Sequence, residues 1–162
     1  MKPTTILVPL DGSALAEAAL PYAIDLLGDR PGTTLVLIRA VDPRLPGVDD
    51  PGAQRGLVQA AEEYLAEVAR RLTGFGGTVK TAVWYGPPAT SIVEAARAEN
   101  ADMIVVSTHG RSGLGRVILG SVTERVLRST RLPILVVRDS AAPIDAPRSS
   151  EASLASGTGA RA

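Results

Sequence analysis

The sequence predicts an α/β domain built on a parallel sheet, and three observations carry that expectation. Short apolar runs alternate with longer segments of helical periodicity from the N-terminus to about residue 138. Two of the runs, ILVPL and MIVVS, are continuously apolar, as strands covered on both faces are. Hydrophobic residues make up 45% of the chain but aromatic residues only 3%. The core must therefore be Val, Ile, Leu and Ala, which suits a sheet flanked by closely packed helices. A chain of 162 residues fits one domain, with right-handed crossovers between its strands.

The elements follow in order. Residues 5–10 form the first strand. Asp11-Gly12-Ser13 is a turn with an N-cap, and Asp11 has a stabilising role there that needs no ligand. One helix is expected over residues 14–27, with Leu15, Ala18, Ala19, Tyr22 and Leu26 at helical spacing. Gly28 and the Pro31-Gly32 pair end it. Residues 34–41, LVLIRAV at the centre, form the second strand. Residues 42–56 are rich in Pro, Gly and Asp and read as a long loop. A second helix is expected over residues 57–72, with Leu57, Ala61, Leu65, Val68 and Leu72 on one stripe. Residues 79–85 alternate as an edge strand does, with Trp84 and Tyr85 as packing residues. Gly86-Pro87-Pro88 turns into a helix over residues 89–99. Residues 102–107 form the fourth strand, 121–129 a helix and 132–138 the fifth strand. Past Asp139 the large apolar residues thin to Ile144 and Leu154. Residues 1–139 are thus expected as the domain and 140–162 as a disordered tail.

Bulk properties exclude several classes. Formal net charge is zero, which argues against a general nucleic-acid binder. Locally the balance fails. Between residues 107 and 131, Arg111, Arg116, Arg125, Arg128 and Arg131 face Glu124 alone, a patch suited to a small anion or to a solvated helix face. The chain has no cysteine, so disulfides and cysteine-based sites are excluded. The N-terminal apolar run is too short for a signal peptide, and no stretch reaches membrane-span length. A cytoplasmic location is expected.

The stretch THGRSGLGRVILGS, residues 108–121, follows the fourth strand and holds four glycines before a helix begins. It is not a Walker A loop, because it has no lysine. It is not a dinucleotide fingerprint, because Ile118 stands where the third glycine would be, and the loop follows the fourth strand instead of the first. Another spacing fits. Gly110, nine further residues and then Gly120-Ser121 resemble the G-x2-G-x9-G-[ST] pattern of the universal stress protein family. ILVPLDGS, residues 6–13, resembles that family's first strand and turn. Residues 86–115 and 119–138 are similar to its later blocks in the right order.

The resemblance implies a five-stranded parallel sheet of order 3-2-1-4-5 with helices on both faces, an adenine-nucleotide α-hydrolase-like fold. It implies ATP as ligand, with ADP or AMP as alternatives and magnesium held through the phosphates. Carried over, Pro9, Leu10 and Asp11 lie near ribose or base, and Val41 meets adenine through its backbone. Ser107, His109, Gly110, Arg111 and Gly113 meet ribose and phosphates, and Gly120, Ser121 and Val122 hold the phosphate tail. The family's first motif glycine is Ser107 here, which adds a hydroxyl. A homodimer through residues 132–138 is implied as well.

Elementary physics agrees. Gly110 and Gly120 are expected to let backbone approach an anion and to take positive φ. Ser121 opens a helix whose N–H groups and dipole favour a phosphate. His109 is the only histidine, and no activated nucleophile, general base or metal-ligand cluster accompanies it. That favours a nucleotide-dependent regulator, with at most weak hydrolysis, over a fast enzyme. An adenylating ligase would carry SGGxDS after the first strand, where this chain has LDGSALAE. A nucleotide-free dimeric interaction module of the same fold is the remaining alternative.

Overall fold

A computed structural model describes residues 2–28, 30–42, 50–108 and 120–138. Five strands, β1 Thr5–Pro9, β2 Thr34–Val41, β3 Thr78–Tyr85, β4 Met103–Thr108 and β5 Ile134–Arg138, form one sheet of order β3-β2-β1-β4-β5. Every pairing is parallel. Helices α1 Ala14–Glu17, α2 Leu20–Leu27, α3 Pro51–Arg71, α4 Pro88–Ala98 and α5 Ser121–Ser129 complete the fold. The expected tail, residues 140–162, lies outside the described residues.

The core splits by sheet face. Ile6, Val8, Leu35, Leu37 and Val105 pack with Ala23, Leu27, Leu65 and Val68 of α2 and α3. Leu7, Val36, Ile38 and Ile104 pack with Ile92, Ala95 and Ala96 of α4 and with Val126 of α5. Neighbouring residues of one strand thus serve opposite cores, which explains why the central strands are apolar at every position.

Three local expectations need correction. The first helix is broken: α1 stops at Glu17 and α2 starts at Leu20. Pro21 is the cause, since it lacks an N–H and its ring would strike the Glu17 carbonyl four residues back. The break also rephases the buried face. Ala16, Ala19, Leu20, Ala23 and Leu27 are buried, whereas Tyr22 and Leu26 are exposed. Second, α3 starts at Pro51, inside the stretch expected as loop. Asp50 caps it by accepting from the Ala53 amide at 3.0 Å, and Pro51 takes the first turn, where a missing N–H costs nothing. Third, Trp84 packs against the core, but Tyr85 is 63% exposed at the end of the edge strand.

The sheet's topology reverses at β1, which pairs with β2 on one side and β4 on the other. The two pairings differ in length. β1 pairs with β2 from Thr5 to Pro9, but with β4 only at Ile6↔Met103 and Leu7↔Ile104. Beyond Leu7 the two strands part. Below that point Asp102 fastens them. Its Oδ2 accepts from the Thr4 amide at 2.8 Å, the Thr4 hydroxyl at 2.9 Å and the Thr5 amide at 2.9 Å. The Asp102 amide in turn donates to the Thr5 carbonyl at 2.8 Å.

The Thr4 amide above all, then the Thr5 amide and the Thr4 hydroxyl, hold the Asp102 carboxyl below its ordinary value of 3.8. A depressed carboxyl stabilises the fold above its unfolded-state pKa, and the stabilisation is lost as pH falls through the folded value. Asp102→Ala is expected to cost about 1 kcal/mol near neutral pH, charge-assisted bonds being reduced by solvent screening at this exposed site. In urea titrations the gap between wild type and variant should narrow as pH falls below about 4. A gap unchanged down to about pH 3 would contradict the clamp.

Candidate functional site

Where β1 and β4 part, a cavity of about 370 Å³ opens at the C-terminal ends of the strands. This is the switch-point position at which open α/β sheets take ligands. Its apolar walls include Pro9 and Leu10 from the end of β1, Ile92 from α4 and Val106 from β4. Its polar groups come from Asp11, Arg39, Ser107 and Thr123.

Asp11 stands at the start of the turn after β1. Its Oδ1 accepts from the Ser13 amide at 2.9 Å and the Ser13 hydroxyl at 2.6 Å, while Ser13 Oγ accepts from the Ala16 amide at 3.1 Å and so caps α1. The capping role read from the sequence therefore belongs to Ser13, with Asp11 bracing it. Burial is the largest single influence on the Asp11 carboxyl and pushes it up. The Ser13 bonds, the local backbone and the Arg39 charge together outweigh burial and hold it below 3.8. Asp11 is thus a fixed anion at neutral pH. Gly12 has φ +92, and a Cβ there would stand 3.4–3.5 Å from the Arg39 guanidinium. A left-handed turn under a bulky cation leaves glycine as the natural residue.

The opposite wall is the start of α5. Gly120 is its N-cap residue and Ser121 its first helical residue, and no side chain caps the helix. The Glu124 amide takes the Gly120 carbonyl at 2.9 Å. Among the described residues nothing accepts from the amides of Ser121, Val122 and Thr123, which leaves them for a ligand or solvent. The Gly120 amide donates to Thr108 Oγ1 at 3.3 Å, fixing the helix start to the end of β4. Gly120 has φ −54 and ψ 148, so the expected positive φ is not found. A Cβ there would meet Thr108 Oγ1 at 3.6 Å, an ordinary contact, so neither backbone strain nor crowding by the described residues demands glycine.

The structure therefore brings Pro9, Leu10, Asp11, Ser107 and Val122 to one cavity, with Gly120 and Ser121 at the adjoining helix start. Val41 is not among the lining residues. Its carbonyl accepts from the Gly86 amide at 2.9 Å, and it lines a neighbouring groove with Tyr85 and the start of α3; Ala40 lines the cavity instead. His109, Gly110, Arg111 and Gly113 lie outside the described residues. Arg39 was missed, although a lone charge in TLVLIRAV was its signal.

The sequence model of the Universal stress protein family matches residues 3–138. The chain is 31% identical to Universal stress protein MJ0531 of Methanocaldococcus jannaschii over 137 residues, 82% of this chain and 81% of that protein. It is 35% identical to Universal stress protein Rv2005c of Mycobacterium tuberculosis over 144 residues, 83% of this chain but 45% of that protein, so it spans under half of that relative. The solved structure of MJ0577, from a study assigning that protein's biochemical function, superposes with a TM-score of 0.75 at 29% identity, covering 87% of this chain and 99% of the other. Two more distant structures share the fold. One is a universal stress protein in complex with cAMP, with 24% identity, TM-score 0.65 and coverage of 85% and 98%. The other is an Arabidopsis thaliana family protein with AMP bound, with 16% identity, TM-score 0.60 and coverage of 86% and 94%. With sheet order, switch-point cavity and sequence all in agreement, the chain belongs to the universal stress protein family.

Proposed function

We propose that this chain is an ATP-binding universal stress protein that acts as a nucleotide-dependent regulator of a stress response, with at most slow hydrolysis. The observation that carries the reading is the cavity at the switch point, with apolar walls on one side and the uncapped amides of α5 beside it. An adenosine needs an apolar slot with a few polar groups to orient it, and a polyphosphate needs converging N–H donors. The residues present fit both parts. Pro9, Leu10, Ile92 and Val106 give the slot, Asp11 an acceptor, and Ser121, Val122 and Thr123 the donors. His109, Gly110, Arg111 and Gly113 are assigned to ribose and phosphates from the motif. Two fold relatives carry cyclic AMP and AMP, which supports an adenine nucleotide as the ligand class. ADP and AMP compete for the same slot. Magnesium would be held through phosphate oxygens, since Asp11 is the only carboxylate among the described lining residues. No helix among the described residues is long and apolar enough to cross a membrane. Action in the cytoplasm is part of the proposal.

The test is calorimetric titration with ATP, ADP, AMP and cyclic AMP, with and without magnesium. Micromolar binding corresponds to about 8 kcal/mol. A Cβ at Gly120 would meet Thr108 Oγ1 at 3.6 Å, an ordinary contact, so Gly120→Val should keep the fold. Its branched side chain beside the α5 amides is expected to weaken ATP binding by about tenfold or more. Unaltered affinity in a folded variant would remove α5 from the site. The alternative reading, a nucleotide-free interaction module, is left open by Ser107 at the motif glycine, while Gly110, Gly120 and Ser121 speak against it. It predicts no heat with any nucleotide and none carried through purification.

We also propose a homodimer through residues 132–138. β5 is an outer strand of the sheet, and its Ile134, Leu135 and Val136 are only half-buried. An apolar edge of this kind is a pairing surface unless something covers it. Light scattering at micromolar concentration is expected to return twice the chain mass; a strictly monomeric mass refutes the pairing.

A further inference from the structure

We propose that Arg39 is a specificity-determining residue of the cavity, forming with Asp11 a donor–acceptor pair that reads the nucleoside end of the ligand. The inference rests on the nucleotide reading above and goes further by naming the group that selects the ligand.

Arg39 is the only charged residue of β2, a strand with a neighbour on each side. A charge in such a strand is costly unless something holds it. Three features hold this one. Its Cζ lies over the Tyr64 ring at 5.1 Å from the centroid. Its guanidinium packs over Gly12, where no Cβ intrudes. Its charge lies close enough to Asp11 to favour the ionised carboxylate. The platform beneath it is braced as well. The Tyr64 hydroxyl donates to Glu17 Oε1 at 3.0 Å, and Arg71 donates to Glu17 Oε2 at 2.8 Å, tying α3 to α1.

None of these contacts uses the Arg39 N–H groups. Among the described residues nothing accepts a hydrogen bond from Arg39, although its side chain lines the cavity. A guanidinium held over a ring by its charge leaves its N–H donors free to bond elsewhere. Asp11 is in a matching state. Both Ser13 bonds fall on Oδ1, and no described side chain donates to Oδ2. The cavity thus offers a donor with unused N–H groups and an acceptor with an unused oxygen.

The complementary ligand edge carries an acceptor beside a donor. An adenine edge does, with ring N1 accepting from Arg39 and the N6 amine donating to Asp11. A ribose diol does too, with one hydroxyl accepting and the other donating. A ligand that lacks either half leaves a desolvated polar group unpaired, and sites of this kind discriminate strongly for that reason.

The test is titration of wild type, Arg39→Met and Arg39→Lys with ATP, 1-deaza-ATP and 2′-deoxy-ATP. The wild type is expected to prefer ATP over one analogue by about tenfold or more, a single charge-assisted bond being the difference. Arg39→Met should erase that preference by weakening ATP alone, with the analogue's affinity unchanged. Loss of preference against 1-deaza-ATP assigns the pair to the base, and against 2′-deoxy-ATP to the ribose; either supports the proposal. Arg39→Lys keeps the charge without the planar fork and should recover part of the preference. It carries the same comparison if the methionine variant fails to fold. A folded Arg39→Met that binds ATP like the wild type, or loses ATP and both analogues by one factor, overturns the proposal and leaves Arg39 as packing on Tyr64. A wild type that binds ATP without preferring it to either analogue overturns it too, with the nucleotide reading intact. A wild type that binds none of the three overturns the nucleotide reading and this inference with it.

Discussion

The candidate site exists because β1 and β4 stay together for two residue pairs and then separate. Parallel neighbours have no reason to part while their amides and carbonyls can pair, since unpaired buried backbone groups are costly. Here the separation coincides with the topology switch, where the chain leaves β1 toward α1 and leaves β4 toward α5. At the fork the Leu10 amide prolongs the β1–β2 pairing by donating to the Ile38 carbonyl at 2.8 Å, and the Gly120 amide ties the start of α5 to Thr108 Oγ1 at the end of β4. The Asp102 clamp lets this happen without the sheet unzipping, because three donors converge on one oxygen just below the last paired residues. A fork needs a firm joint at its base, and here that joint is electrostatic as well as apolar.

The walls of the fork differ in kind, and magnitudes decide what each can do. A helix N-terminus contributes at most about 2 kcal/mol to an anion. Micromolar affinity needs roughly 8 kcal/mol. For a nucleotide bound as proposed, the amides of α5 would orient a phosphate without accounting for tight binding, and the larger share would come from burying an apolar ring between Leu10, Ile92 and Val106. At about 25 cal/mol per Å², some 150–200 Å² of ring surface removed from water supplies roughly 4–5 kcal/mol. The polar groups then select among rings of similar area. In such a division of labour Asp11 and Arg39 matter for identity more than for strength.

Much of the architecture could be read from the chain. Continuous apolar runs gave the central strands, and alternation in residues 79–85 marked an edge. What failed was local. Pro21 was counted inside a helix whose apolar spacing seemed unbroken, although its missing N–H and its ring act on Glu17 whatever the periodicity. Asp50-Pro51 is a strong helix start, hidden by the glycines at 52 and 56, which α3 tolerates within its first two turns. At the site, local motifs located Asp11 and the start of α5, because such groups are contiguous in sequence. Arg39 shows in sequence only as a lone charge in an apolar strand; its role is hidden there, because its partners Tyr64 and Asp11 lie on other elements. Val41 lines the neighbouring groove while Ala40 lines the cavity, because strand pairing with β3 runs to Tyr85 and the Val41 carbonyl takes the Gly86 amide.

Ser107 is the point at which the chain departs from the family motif, and its surroundings say what that departure costs. The obvious concern is steric, a hydroxyl projecting where a ribose should lie. The Ser107 Oγ is instead enclosed and finds no hydrogen-bond partner among the described residues, while the residue still contributes to the cavity wall. An enclosed, unpaired hydroxyl costs about 1–3 kcal/mol of stability. A ligand group or a main-chain carbonyl that reached Oγ would recover part of it. For a nucleotide bound as proposed, the substitution would then bear on the pairing of this hydroxyl as well as on access to the cavity. Lowering the stability of the empty state relative to a state that satisfies Oγ is a direct way to couple occupancy to conformation. A motif glycine cannot do this, because it has no side chain to leave unsatisfied.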